Sequence, residues 1–257
     1  MSSLAKVIAI VNQKGGVGKT TTSINLSACI AHEGKKVLLI DIDPQSNTTS
    51  GLGIDKHKIE KSIYDVLIND EEIKNTTLDT KIDLLKICAS NIQLAGAEIE
   101  LVPMISREMR LKEAIERIRN DYDFVIMDCP PSLGLLTLNA LTAADTVLVP
   151  IQCEYYALEG LTQLMSTVNL IKKHLNKKLE VEGVVLTMYD ARTNLSMQVV
   201  EEVRKHFNSK VYRTIIPRNV RLSEAPSFGL PIILYDEKSK GAEAYLKLAE
   251  EVIGYSE

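Results

Sequence analysis

The sequence predicts an α/β fold, a single doubly wound domain over residues 1–257 with a mostly parallel sheet. Three observations carry that expectation. A short apolar run near the start stops at a glycine-rich loop and gives way to a helix-permissive stretch. Two later apolar runs, VLLIDID and DFVIMD, lack polar alternation and end on aspartates, the pattern of parallel strands covered on both faces. Strand-like and helix-like segments then alternate, with no Pro/Ser/Gly-rich linker and no repeat.

The first strand is Val7 to Val11, and it runs into Gln13-Lys14-Gly15-Gly16-Val17-Gly18-Lys19-Thr20. Small glycines let successive backbone N–H groups converge on phosphate oxygens, and the following helix adds its positive N-terminal end. Lys14, Gly15, Gly16, Val17, Gly18, Lys19, Thr20 and Thr21 are therefore the candidate nucleotide-binding residues. Lys19 is placed to reach the β- and γ-phosphates, and the Thr20 hydroxyl to bind Mg²⁺. The loop departs from the general pattern G-x-x-x-x-G-K-[ST]. Gln13 stands where glycine is expected, and Lys14 supplies a second lysine. The spacing predicts a P-loop NTPase fold with a deviant Walker A loop.

Thr20 to Glu33 reads as a helix with Ile24, Leu26, Ala28, Ile30 and Ala31 available for burial, and Gly34 is placed to end it. Lys36 to Asp43 reads as a buried strand. Its end, Asp41-Ile42-Asp43-Pro44, falls where open parallel sheets place their chemistry. Residues 46–80 are polar and less regular, with a short helix expected over Ser62 to Asn69. A strand follows over Ile82 to Ala89, and a helix over Ser90 to Leu101 interrupted by Gly96. After Pro103, Ser106 to Asn120 reads as an amphipathic helix with Met109, Ile115 and Ile118 turned inward.

Asp123 to Asp128 is the third informative strand. An apolar strand that finishes on an acid resembles a Walker B element, with Asp128 holding or orienting the metal through water. Pro130 and Pro131 force an extended exit. Further strands are expected over Thr146 to Ile151, Val181 to Met188 and Val211 to Ile216. Helices are expected over Leu158 to Leu175, Met197 to His206 and Ala242 to Ile253, the first with a core stripe of Leu161, Leu164, Met165, Val168, Ile171 and Leu175.

Composition narrows the alternatives. Cys29, Cys88, Cys129 and Cys153 show no CxxC pairing, and the four histidines are scattered, which argues against a structural metal or disulfides. Cys129 has no histidine beside it and is not read as a nucleophile. No apolar stretch approaches the roughly 18 residues that a membrane span needs. The first apolar run flows straight into the phosphate loop, so no export signal and a cytoplasmic location are expected. The net charge of −4 argues against a protein that is basic all over, yet residues 189–240 carry nine Lys/Arg and six Asp/Glu. Phosphoryl transfer needs charge neutralisation and a positioned nucleophile, and no second substrate pocket declares itself. Water is the expected acceptor, and ATP hydrolysis the expected reaction.

The stretches KGGVGKTTT, LLIDIDPQ, IMDCPPS, CEYYALEG, TMYDARTN and IPRNVRLSEAPS resemble the ParA/Soj family of chromosome- and plasmid-partitioning ATPases, over nearly the whole chain. The resemblance implies that Lys14 is a signature lysine reaching the partner's phosphates across an ATP-dependent sandwich homodimer. It implies that Asp43 orients the attacking water, that Asp41 supports the hydrated Mg²⁺, and that Gly16 leaves room for the facing loop. The catalytic set is then Lys14, Lys19, Asp43 and Asp128, and the metal set is Thr20 with Asp41 and Asp128 through water. Pro217 and Asn219 match the adenine-contacting segment, with Met188 as a lining residue. Arg192 and Arg221 match DNA-binding arginines, with Arg218, Lys238 and Lys240 as weaker matches. Contacts to double-stranded DNA would be mostly to phosphate, without sequence preference. A ParB-type centromere-binding partner would accelerate slow hydrolysis and release nucleoid DNA. Three rival readings remain: a MinD-type membrane-associated ATPase, a nitrogenase-iron-protein-like reductase, and a regulatory DNA-binding protein that uses ATP only as a ligand. The acidic ending EEVIGYSE disfavours the first, and no membrane partner is expected.

Overall fold

The computed structural model describes residues 4–154 and 161–254. Its strands are β1 (Lys6–Ile10), β2 (Val37–Asp41), β3 (Thr77–Asp79), β4 (Leu85–Cys88), β5 (Phe124–Asp128), β6 (Thr146–Gln152), β7 (Glu180–Tyr189) and β8 (Val211–Pro217). They form one sheet in the order β3-β4-β2-β5-β1-β6-β7-β8. Every pairing is parallel except that of β3 with β4. Between them run α1 (Lys19–His32), α2 (Asn47–Gly51), α3 (Ile63–Ile68), α4 (Leu94–Glu100), α5 (Arg110–Glu116), α6 (Leu135–Ala143), α7 (Leu161–His174) and α8 (Asn194–Phe207), and after β8 come α9 (Val220–Glu224), α10 (Ile232–Tyr235) and α11 (Lys240–Gly254).

The period-two geometry of a strand divides β1 between two cores. Val7, Ala9 and Val11 join a cluster with residues of α3 to α8, while Ile8 and Ile10 join residues of α1, α10 and α11 on the opposite face. Both faces of the central strands are thus dry, as their unalternating sequences require. Ile8, Ile10, Leu38, Leu39 and Ile40 are fully buried, each worth about 1.5–3 kcal/mol relative to exposure. Parallel register sets Ile10 beside Asp128 on one side of β5 and Asp41 beside Asp128 on the other. Three strand ends therefore meet at one place.

Several elements differ from the sequence expectation, each for a local reason. The strand expected from Ile82 begins only at Leu85, because Leu84 takes a left-handed backbone (φ 66°). The helix expected from Ser106 begins at Arg110, since Ser106 is itself left-handed (φ 53°), and Met109 is half-buried. Helix α4 runs through Gly96 without a break. Helix α6 was not expected: LLTLNALTA is buried on nearly every side and carries no polar stripe to reveal its period. The first residues of the expected Leu158–Leu175 helix, and part of CEYYALEG, lie outside the described residues.

Both ends of the sheet are modified. Antiparallel β3 has three residues. At the other edge, the Glu251 carboxylate of α11 accepts the backbone N–H groups of Arg213 (2.9 Å) and Thr214 (2.8 Å).

Candidate nucleotide and metal site

The loop between β1 and α1 lies at the carboxyl ends of the strands. Gly16 and Gly18 have φ of 74° and 88°, a left-handed backbone that costs other residues energy. A side chain at Gly16 would meet no atom of the chain within 4 Å, so conformation rather than space within this chain selects glycine there. Asn12 braces the loop from below, donating to the Pro150 carbonyl (2.7 Å) and accepting from the Lys14 N–H (3.0 Å). Thr187 of β7 donates to the Val17 carbonyl (2.8 Å) and holds the far side.

Lys19 is buried beneath this loop, and its Nζ donates to the Lys14 carbonyl (3.2 Å), its one hydrogen bond among the described residues. Burial lowers its pKa, while the nearby charges of Asp128 and Asp43 act in the opposite direction. A buried ammonium with spare N–H donors is suited to receive phosphate oxygens. The Lys14 side chain is half-buried and has no acidic partner among the described residues.

The acids are held by hydroxyls. Asp128 Oδ2 accepts from Thr20 (2.8 Å) and Thr48 (2.6 Å), and Oδ1 accepts from Ser23 (2.9 Å). Burial raises the Asp128 pKa against the pull of these three bonds. Asp41 Oδ2 accepts from both the N–H (2.9 Å) and the hydroxyl (2.7 Å) of Thr49, and its Oδ1 accepts from the Asp43 N–H (3.2 Å). Burial first, and the Asp128 charge second, push the Asp41 carboxyl up to about 7. Asp43 accepts the Gln45 N–H at Oδ1 (2.9 Å). Two buried carboxylates, one already in contact with the Thr20 hydroxyl, make a donor set that fits a hard divalent cation retaining most of its water. Burial and the Asp128 charge drive the Cys129 thiol well above its ordinary pKa, which removes it as a nucleophile.

A second cleft of about 330 Å³ opens beside the loop. Met188, Pro217 and Asn219 line it together with Gly18 and Thr21, so the residues expected at adenine are contiguous with the phosphate loop. Asn219 also caps α9 through the Arg221 N–H (2.8 Å), and Met188 has a left-handed backbone (φ 52°). Arg218, a weaker match for a DNA contact, is exposed and also lines this cleft. Arg192 and Arg221 are exposed and held by acids. Arg192 makes two bonds to Asp190 (2.9 and 2.7 Å), drawing that carboxyl far below its usual range, and Arg221 pairs with Glu224 (2.8 Å) and Asp236 (3.3 Å). Lys238 and Lys240 are exposed as well. Sequence reasoning missed Asn12, Ser23, Thr48, Thr49 and Thr187. Small hydroxyl and amide residues carry no periodic signal, and only the fold shows which of them are buried.

A site of this build, at the switch point of a parallel sheet, defines a P-loop ATPase with an additional loop lysine. A sequence model described as an AAA domain matches residues 5–181. The chain is 64% identical to the sporulation initiation inhibitor protein Soj of Bacillus subtilis over 249 residues, covering 97% of this chain and 98% of that protein. It is 54% identical to the chromosome partitioning protein ParA of Myxococcus xanthus, covering 98% and 89%. A solved structure of cobyrinic acid a,c-diamide synthase from Mycobacterium smegmatis, with bound ATP analogue and magnesium, superposes with a TM-score of 0.87 at 38% identity, covering 98% and 96%. The chain belongs to the ParA/Soj family of partitioning ATPases. Among the described residues, no helix is long and apolar enough to cross a membrane.

Proposed function

We propose that this chain is a Mg²⁺-dependent ATPase that partitions DNA, hydrolysing ATP to ADP and phosphate. The observation that carries this reading is the buried Lys19 ammonium, with donors to spare, beside a strand-end acid that already gathers the hydroxyls of α1 and α2. Mg²⁺ held by Thr20, and through water by Asp41 and Asp128, supplies charge neutralisation at the phosphate oxygens. Lys19 and the loop N–H groups bind and orient the phosphates, and Asp43 orients the attacking water. Met188, Pro217 and Asn219 enclose the base, with Arg218 at the same cleft.

Lys14 acts in trans, across a homodimer that ATP assembles. The absence of an acidic partner for it among the described residues supports this assignment. The dimer brings Arg192 and Arg221 of two chains together as a face for DNA phosphates on the nucleoid. A ParB-type protein accelerates hydrolysis, and release follows because ATP favours the dimer over the monomer. The test is phosphate release by wild type and Asp43→Ala, with and without DNA and a ParB-type protein. Wild type should turn over slowly and respond to both. Asp43→Ala should bind ATP yet hydrolyse about 100-fold more slowly. Full activity in that variant removes Asp43 from the mechanism.

A further inference from the structure

We propose that Thr48 and Thr49 are positioning residues for the metal end of the site, each fixing one of the two strand-end carboxylates; this rests on the Mg²⁺–ATP reading above. Helix α2 has five residues and is entered through Ser46 in a left-handed conformation (φ 57°). Ser46, Thr48 and Thr49 are all fully buried, although the segment reads as a polar loop. The consecutive threonines serve different acids: Thr48 donates to Asp128 Oδ2 (2.6 Å), and Thr49 to Asp41 Oδ2 (2.7 Å). Those acids are register partners on β5 and β2.

The two contacts hold complementary jobs. Asp128 Oδ2 is shared by Thr20 and Thr48. When the Thr20 hydroxyl turns to a cation, Thr48 remains as the protein donor on that oxygen and keeps the carboxylate from rotating away. Thr49 works as a hub, because its hydroxyl donates to Asp41 and also accepts the Ser90 N–H (3.0 Å). Ser90 in turn donates its own hydroxyl to the Asp43 carbonyl (2.9 Å). Asp41 and the turn that carries Asp43 are thereby pinned to the end of β4. Outer donors of this kind set the orientation and affinity of a metal site.

The test compares Thr48→Val and Thr49→Val with Thr48→Ser and Thr49→Ser in the full chain. Equilibrium binding of a fluorescent ATP analogue is followed in EDTA and across a Mg²⁺ titration, with thermal melts alongside. Each valine variant should need about tenfold more Mg²⁺ for its half-maximal effect, with nucleotide affinity in EDTA unchanged. The serine variants, which keep the hydroxyl, should return the wild-type requirement. If Thr49→Val does not fold, Thr49→Cys, which weakens the bond at similar volume, takes its place. Valine variants that melt earlier but need the same Mg²⁺ as wild type overturn the positioning role alone. A wild type whose nucleotide binding ignores Mg²⁺ overturns the underlying reading and this proposal with it.

Discussion

The two ends of this chain for which functions are proposed are built in opposite ways. Around β1, β2 and β5 the key polar groups are buried: hydroxyl donors hold the Asp41 and Asp128 carboxylates, and the Lys19 ammonium donates to the Lys14 carbonyl. Around β7 and β8 the arginines are exposed and rest on neighbouring acids, Arg192 on Asp190 and Arg221 on Glu224 and Asp236. Exposed ion pairs contribute little and exchange readily. The contrast suits the two ligands proposed above. A transferring phosphate needs preorganised charge, whereas a polymer bound without sequence preference needs cations that can leave one anion for another.

The comparison breaks most severely at Lys19. Lys19→Ala should weaken ATP binding by about 100-fold or more, because a charged donor is lost from a buried site. Titration with a labelled nucleotide reads this directly, and near-native affinity would mean that the loop N–H groups suffice. A smaller effect is expected on the exposed side. Arg192→Glu combined with Arg221→Glu should reduce DNA affinity by about tenfold or more at moderate salt and flatten its salt dependence, leaving nucleotide binding intact. DNA still shifted at low salt by that double variant would place the basic face elsewhere.

The smallest effect sharpens the buried side. The Asp41 carboxyl is pushed up to about 7, above its unfolded value of about 4. The folded chain therefore binds that proton more tightly, and the associated stability is complete below about pH 4 and drains as pH rises through about 7. Asn cannot ionise, so nucleotide-free Asp41→Asn should lose less stability than wild type between pH 5 and 8. Thermal melts that fall in parallel for both would rule out Asp41 as the group responsible.

The same contrast explains what the sequence could disclose. The three central strands were legible because burial on both faces leaves an apolar run, and the phosphate loop because its spacing is dictated by ligand geometry. The expected cleft residues Met188, Pro217 and Asn219 do come together. The exposed Arg218 lines that cleft as well, a placement that its charge alone could not reveal. Helix α6 was hidden by burial on nearly every side, and Thr48 and Thr49 by a composition shared with exposed loops. Element starts at Leu85 and Arg110 depended on left-handed residues, Leu84 and Ser106, that no propensity singles out.

The treatment of the two sheet edges has a consequence for life at high local concentration. Open edges are templates on which further chains can add as strands. Here one edge ends in a three-residue antiparallel strand, and at the other Glu251 accepts two consecutive backbone N–H groups of β8 where its register is irregular. Copies at high local concentration would then have little opportunity to zip together side by side into fibres. Glu251→Ala should reopen that route, turning a reversible crowd into an aggregating one.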